Sequence, residues 1–286
     1  MMQYRRLLPG ILSAALALSL AACGGVPRDT GPVSQEPPSS AAPSAFEVLK
    51  SVDGSMDLSK GMDLQIDAVM KQAMTGMTVE TGLKGRFLME NETKYRIEFT
   101  QTALGQEIPM SIYRDGAYTY TDMMGMKVKA LAEDDESLPT DLELKEEYFK
   151  SLELTEADGV RTVTASLDPE KVEALFGDLL GSGLLDSLGG TEEEPGTGPD
   201  LQVKAVGMTA KLGQDNLLHE VTASISVAVS VEGPSAADPE STVLTEMQCD
   251  MSVTVTFNNP GAPVTVTPPA DLEEYEDFTM DEGDFV

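Results

Sequence analysis

An α+β fold, a mostly antiparallel sheet carrying a few helices, is the class this sequence predicts, and three stretches predict it. Met247–Phe257 alternates apolar and polar residues throughout, and Val221–Val231 does so except at Ala228, the period of a strand with one face covered and one wet. Asp115-Gly116 separates two further alternating runs, Ile108–Arg114 and Ala117–Asp122, a two-residue hairpin signature. Behind Asp168-Pro169, the residues Val172, Leu175, Phe176, Leu179 and Leu180 recur at helical spacing. There Asp168 can cap, and Pro169 at the first helical position loses no hydrogen bond.

The chain starts with a leader. Arg5 and Arg6 precede Leu7–Leu20, an apolar run interrupted by Pro9 and Gly10 and too short for the roughly 20 residues that span a bilayer. Leu20-Ala21-Ala22-Cys23 closes it and resembles the lipobox of bacterial lipoproteins. That resemblance implies removal of residues 1–22 and a diacylglycerol thioether on Cys23, and two acyl chains anchor stably where one is marginal. A twin-arginine signal fits the residues around Arg5-Arg6 poorly. Residues 24–44, rich in Pro, Gly and Ser, bury too little apolar area to order themselves and read as a flexible tether of roughly 25 Å as a coil.

Removing the leader takes two of the 19 basic residues and none of the 49 acidic ones, moving the formal charge from −30 to −32. Such a body does not attract nucleic acid or an anionic membrane face. It suits a basic partner or loosely held divalent cations. With Cys23 lipidated, Cys249 has no intrachain partner. Sixteen methionines either fill gaps in the core or form an apolar surface that adapts to varied shapes.

The elements follow in order. Ala45–Val52 is an amphipathic helix capped by Ser44, with Phe46, Leu49 and Val52 on one face. Met62–Met70 is a strand with Met62, Leu64, Ile66, Ala68 and Met70 on one side. Val79–Glu90 is a weaker strand, broken by Gly82 and Gly85. In Lys94–Phe99 the residues Tyr95, Ile97 and Phe99 face inward. In the Asp115-Gly116 hairpin Tyr113 is expected opposite Tyr118 and Arg114 opposite Ala117, with Tyr113, Tyr118 and Tyr120 sharing a face. Met126–Leu131 continues the meander. Glu133–Glu136 is a solvated acidic loop without the spacing of a calcium site. Asp141–Leu152 is expected helical. Val160–Leu167 is a strand, and the breakers throughout 181–200 predict a mobile loop. Leu201–Leu212, Val221–Val231 and Met247–Phe257 are the long final strands. After Val264–Ala270 comes an acidic tail, residues 271–286, expected to be frayed.

No catalytic set emerges. His219 is the only histidine, which leaves a triad short of members. Cys249 lies on the apolar side of its strand, where a thiol is buried and inert. A zinc site lacks ligands, and no phosphate-binding glycine loop is present. The chain is expected to be no enzyme and to hold no metal and no cofactor.

Met110-Ser111-Ile112-Tyr113-Arg114-Asp115-Gly116-Ala117-Tyr118-Thr119-Tyr120, then Met124-Gly125-Met126-Lys127, and a final Val264-Thr265-Val266-Thr267-Pro268-Pro269 strand resemble Gram-positive lipoproteins of the lipoprotein-carrier-like (LolA/LppX-like) superfamily. The resemblance spans about residues 45–270 as a single domain. It implies a curved antiparallel half-barrel cradling helices, with an apolar cavity between sheet and helices and no catalytic residues. The extreme acidity and the 181–200 loop depart from the family. A cavity of that kind would be lined by Met62, Leu64, Ile66, Tyr95, Ile97, Phe99, Val172, Leu175, Phe176, Leu179, Ile225, Val227, Met247, Met251 and Val253. The function so implied is a protein anchored to the extracytoplasmic face of the cell membrane through Cys23, binding or carrying a lipid or other apolar ligand. The alternative is an envelope sensor or interaction protein without a ligand, using its acidic surface on a basic protein partner.

Overall fold

The computed structural model describes residues 43–53, 60–74, 77–132, 145–172, 200–234 and 242–277. They form the helix α1 (Ala45–Asp53), the start of a second helix at Pro169–Val172, and strands β1 (Met62–Met74), β2 (Met77–Asn91), β3 (Lys94–Ala103), β4 (Gln106–Asp115), β5 (Tyr118–Met123), β6 (Met126–Leu131), β7 (Phe149–Ala157), β8 (Val160–Leu167), β9 (Asp200–Leu212), β10 (Leu218–Pro234), β11 (Thr242–Phe257) and β12 (Glu276–Asp277). All twelve strands join one open sheet, in the order β12-β6-β5-β4-β3-β2-β1-β11-β10-β9-β8-β7. Every neighbouring pair is antiparallel except β12–β6, which is parallel.

The expected α+β class is therefore corrected. The described chain is nearly all sheet, and that sheet is mixed and not closed into a barrel. Two elements account for the difference. The helix expected over Asp141–Leu152 gives way, in its described part, to one 3₁₀ turn at Glu146–Tyr148 and then to β7. Leu152 and Leu154 pair with Ala165 and Val163 of β8, so a period of two that includes a long-range partner overrides local helix propensity. The helix behind Asp168-Pro169 does begin, with Pro169–Val172 helical and the Glu170 N–H bonded to the Asp168 carboxylate at 3.2 Å. Leu175, Phe176 and Leu179 lie outside the described residues, as does the expected loop 181–200 except its last residue, Asp200, which opens β9.

α1 carries the predicted cap in reciprocal form. The Glu47 N–H donates to Ser44 Oγ (3.2 Å), and the Ser44 N–H donates to Glu47 Oε2 (2.7 Å), a capping box. Val48, Leu49 and Val52 are buried, and Phe46 packs edge-on to Phe149 at 6.1 Å. The main core lies on one face of the sheet, between α1, Val172 and the inward residues of β8–β11 and β1. This will be called the front face. The back face is polar along β8–β11, where Thr164, Thr209, Thr222 and Thr254 stand level across four strands.

The hairpin register also differs from expectation. Asp115 pairs with Tyr118 and Tyr113 with Tyr120, so the turn residues are Gly116-Ala117. Glycine comes first, with φ +59°, as a type II′ turn requires. The shift preserves parity, so the three tyrosines still share one face, the back. His219 falls at a register shift between Leu218 and Glu220, which turns it from the apolar face towards Asp215 at 3.2 Å. Cys249 is buried, and burial pushes its thiol up to about 11.

After β11 the chain crosses the back face as a strap. The Asn258 N–H bonds the Asp63 carbonyl, Val264 bonds Lys60, Val266 bonds the Glu90 carboxylate, and Arg96 bonds the Thr267 carbonyl. Lys127 holds both Asp271 and Glu274 at 2.5 Å, and Tyr275 meets Tyr120 edge-on at 5.6 Å. The tail is thus in place through Asp277 rather than frayed from Asp271. Beneath the strap Tyr113 and Val266 are buried, apart from the main core.

The strap should release in acid. Lys127 holds the Asp271 carboxyl below its ordinary 3.8, and the Val266 N–H holds Glu90 below its ordinary 4.5. A depressed carboxyl contributes stability above its unfolded pKa and loses it as pH falls through the folded one. Amide resonances of residues 271–277 should therefore move to random-coil positions below about pH 4, ahead of those of β8–β11. Resonances of both regions moving together would count against it.

Candidate functional site

Burial on the front face fades across the sheet. Leu64, Val172, Ile225, Val227, Met251 and Val253 are fully buried against the main core, and Met62, Ile66 and Met247 pack at its margin. Beyond Thr81 and Leu83 of β2, which are still buried, the front-facing side chains from β2 to β6 are mostly half-buried, and Met126 is exposed. The register aligns them in rows. Ile66, Gly85, Phe99, Met110, Met123 and Met126 form one row, and Leu64, Phe87, Ile97, Ile112, Thr121 and Val128 the next. A third row is Met62, Met89, Tyr95, Arg114, Thr119 and Ala130. Among the described residues no element covers the rows beyond β2.

Gly85 shapes this face. A Cβ there would stand 2.8 Å from the Phe99 Cβ and 2.8 Å from the Glu98 carbonyl oxygen. Its absence lets Phe99 settle across β2, the way an aromatic covers a strand glycine. Phe87 and Tyr95 pack with ring centroids 6.0 Å apart, and the Arg114 guanidinium lies 6.0 Å over the Tyr95 ring. Arg114 is the only charged residue at a described front-facing position of β1–β6. The arrangement is an apolar, methionine-rich plate with one cation near one end.

Of the residues expected to line a cavity, Tyr95, Ile97 and Phe99 sit on this half-buried plate, with Met62 and Ile66 at its inner margin. Leu64, Val172, Ile225, Val227, Met251 and Val253 are core, and Met247 is at the core's edge. Met110, Ile112, Met123, Val128 and Arg114 were missed. Alternation marked them as strand residues, but only the pairing of β3 through β6 brings them level with Phe99.

The back face carries a shallow depression of about 280 Å³ lined by Val69, Lys71, Ala205, Ser224, Ser226, Asp250 and Ser252. Small side chains level across β9, β10 and β11 create it, and the Ser226 hydroxyl donates to Asp250 at 2.5 Å. Among the described residues, no three His, Cys, Asp or Glu side chains gather as a metal site, and no helix is long and apolar enough to cross a membrane.

No family model and no curated protein matches the chain. Among solved structures it is similar to a LolA superfamily protein of Nitrosomonas europaea, with 10% identity and a TM-score of 0.21 over 77% of this chain and 96% of that one. It is also similar to the MucA/MucB complex of Pseudomonas aeruginosa, with 10% identity and a TM-score of 0.19 over 79% of this chain and 99% of that one. Neither TM-score reaches the level at which a shared fold can be argued.

Proposed function

We propose that this chain is a lipoprotein anchored through Cys23 to the extracytoplasmic face of a membrane, which holds a lipid or other apolar ligand against the front face of β2–β6 without catalysing a reaction. The observation that supports this reading is the half-buried plate. Tyr95, Ile97, Phe99, Met110, Ile112 and Val128 stay partly open to solvent, although most of the same face is buried across β1, β11, β10, β9 and β8. Apolar surface left open in a contiguous patch marks a binding surface more often than a solvated one. Methionines on four of its strands, Met89, Met110, Met123 and Met126, let it adapt to a flexible acyl chain. Arg114, stacked on Tyr95, suits the anionic head group of such a ligand.

Native mass spectrometry of the chain extracted from membranes in mild detergent tests this. Spectra should show a bound species of lipid mass, together with the diacylglyceryl group on Cys23. Ile97→Asp with Ile112→Asp places charge on two half-buried plate residues that do not pack against the core. The pair should weaken retention by roughly 10- to 100-fold while the melting curve stays cooperative. Arg114→Ala should shift the bound population from anionic to neutral species. A chain empty under several mild extractions, or equal retention in the double variant, would sink the reading.

A further inference from the structure

Exposed apolar side chains run along one end of the sheet. Because β1–β6 alternate in direction, the β1–β2, β3–β4 and β5–β6 turns project from the same end. There Met77, Leu104, Met124 and Met126 are 54%, 83%, 67% and 59% exposed. The tips are regularly placed. Met74 closes the first hairpin. Ala103 closes the second, level with Met70 through Thr81, and Met123 closes the third, level with Ile66 through Met110, Phe99 and Gly85. Each tip therefore stops four residues short of its neighbour and lies roughly 10 Å beside it, so the tips follow one slanting line.

The turn chemistry singles these tips out. Leu104 (φ +52°) and Met124 (φ +57°) occupy the left-handed region, each followed by a glycine that is also at positive φ. Such type I′ turns favour Asn, Asp or Gly first, and at the opposite end Asp158 (φ +53°) fills the equivalent position before Gly159. The turns at that other end are Glu92-Thr93, Gly116-Ala117, Asp158-Gly159 and the stretch around Gln214–Asn216. Val160, Tyr118 and Leu131 are exposed on strands there too, as Met77 and Met126 are at the tips, but among the described residues no large apolar side chain occupies a left-handed turn position at that end, and Lys129 lies over the Tyr118 ring. Two large apolar residues in strained, outward turns add no packing to the fold. A backbone outlier of this kind points to function.

We propose that these tips form a membrane-contact edge that inserts Met77, Leu104, Met124 and Met126 into the interfacial layer of a lipid bilayer. Three observations favour a bilayer over a protein. The tip residues themselves carry no charge, and the nearest cations are engaged, Lys127 with Asp271 and Glu274 and Lys71 with Glu80. With a net charge of −30, the chain suits a zwitterionic surface entered by apolar insertion, not an anionic one. Finally, residues 23–42, which begin at the proposed lipid anchor Cys23, lead into α1. Its Phe46 packs on Phe149, and β7 begins at the same end of the sheet as the tips. This edge meets the ligand plate at Met126, and its test reads no ligand.

The chain has no tryptophan, so a single introduced indole reports its own surroundings. Leu104→Trp and, at the opposite end, Thr93→Trp are made in the full chain and mixed with phosphatidylcholine vesicles whose acyl chains are brominated. Interfacial insertion reaches roughly 5–10 Å into the head-group and acyl boundary, so the indole from Leu104→Trp should shift to the blue and be quenched about threefold more than that from Thr93→Trp. Met77→Trp should behave like Leu104→Trp. Adding Leu104→Asn and Met124→Asn should abolish most of its quenching while raising or preserving the melting temperature, because asparagine suits positive φ. Equal quenching at both ends, or quenching at Met77→Trp unchanged by the two asparagines, would overturn the proposal. So would loss of concentration-dependent self-association in the asparagine variant without any change at vesicles, which would identify the tips as a contact between copies of the chain.

Discussion

Tyr113→Ala is expected to lower the unfolding free energy by about 3–4 kcal/mol, and Tyr113→Phe by only about 1 kcal/mol. Tyr113 is among the largest fully buried side chains, yet it stands on the back face, outside the main core. Its ring packs against Tyr120 at 5.8 Å, Tyr120 meets Tyr275 of the strap, and its hydroxyl donates to Asp115 at 3.0 Å. Alanine would leave a cavity under the strap, whereas phenylalanine keeps the packing and loses one hydrogen bond. Urea unfolding at neutral pH measures both. The hydroxyl adds an alkaline signature. Burial, and then the Asp115 carboxylate beside it, push it from 10 up to about 12. A raised pKa means the contribution is complete below 10 and is lost as pH rises through 12. Wild-type protein should lose stability across that window, and Tyr113→Phe should lack that share of the loss. Equal costs for the two substitutions would show that the strap does not pack on Tyr113.

Gly61→Ala is expected to cost about 3 kcal/mol and lower the melting temperature by roughly 10 °C. Gly61 has φ +85°, and a Cβ there would lie 2.2 Å from the Met89 carbonyl oxygen and 3.1 Å from the Val264 Cβ. The close atom at Met89 is backbone held in the β1–β2 pairing, so it cannot swing aside. The neighbouring Lys60 carbonyl accepts the Val264 N–H at 2.9 Å, so the disturbance sits where the strap leaves the sheet edge. Limited proteolysis of the variant should cut within residues 258–277 before the sheet opens. Gly105→Ala is the control, since nothing lies within 4 Å of its Cβ position and only the strain of its positive φ remains. An unchanged melting temperature for Gly61→Ala would rule out this account.

Much of the fold was legible because its signals are local. Strands β1, β3, β10 and β11 follow from alternation, the β4–β5 turn from Gly116, and α1 from Ser44. Where local signals competed, the reading failed. The stretch up to Leu152 carries helix-forming Glu, Leu and Lys, and only pairing with β8 makes part of it a strand. His219 has the parity of the apolar face, but a register shift against β9 reverses it. The candidate site was half legible. Tyr95, Ile97 and Phe99 were found by their period, while Arg114 and Met110 wait on the strand pairings that set them beside those residues.

The amino-acid sequence by itself determined which residues are strand, turn and cap, because dihedral preference and apolar period act over a few neighbouring residues. It also places the apolar run Leu7–Leu20 before Cys23 and carries a large acidic excess. Only the tertiary structure decided that β1 pairs with β11, that the sheet stays open, that burial stops at β2, and that residues 258–277 return across the back face. Those outcomes rest on contacts such as Asp63 with Asn258, 195 residues apart, and Arg96 with Thr267, 171 apart. No short-range pattern encodes a partner at that distance. Which partner is chosen depends on how the whole sheet buries its apolar face, and that energy exists only once the strands have met.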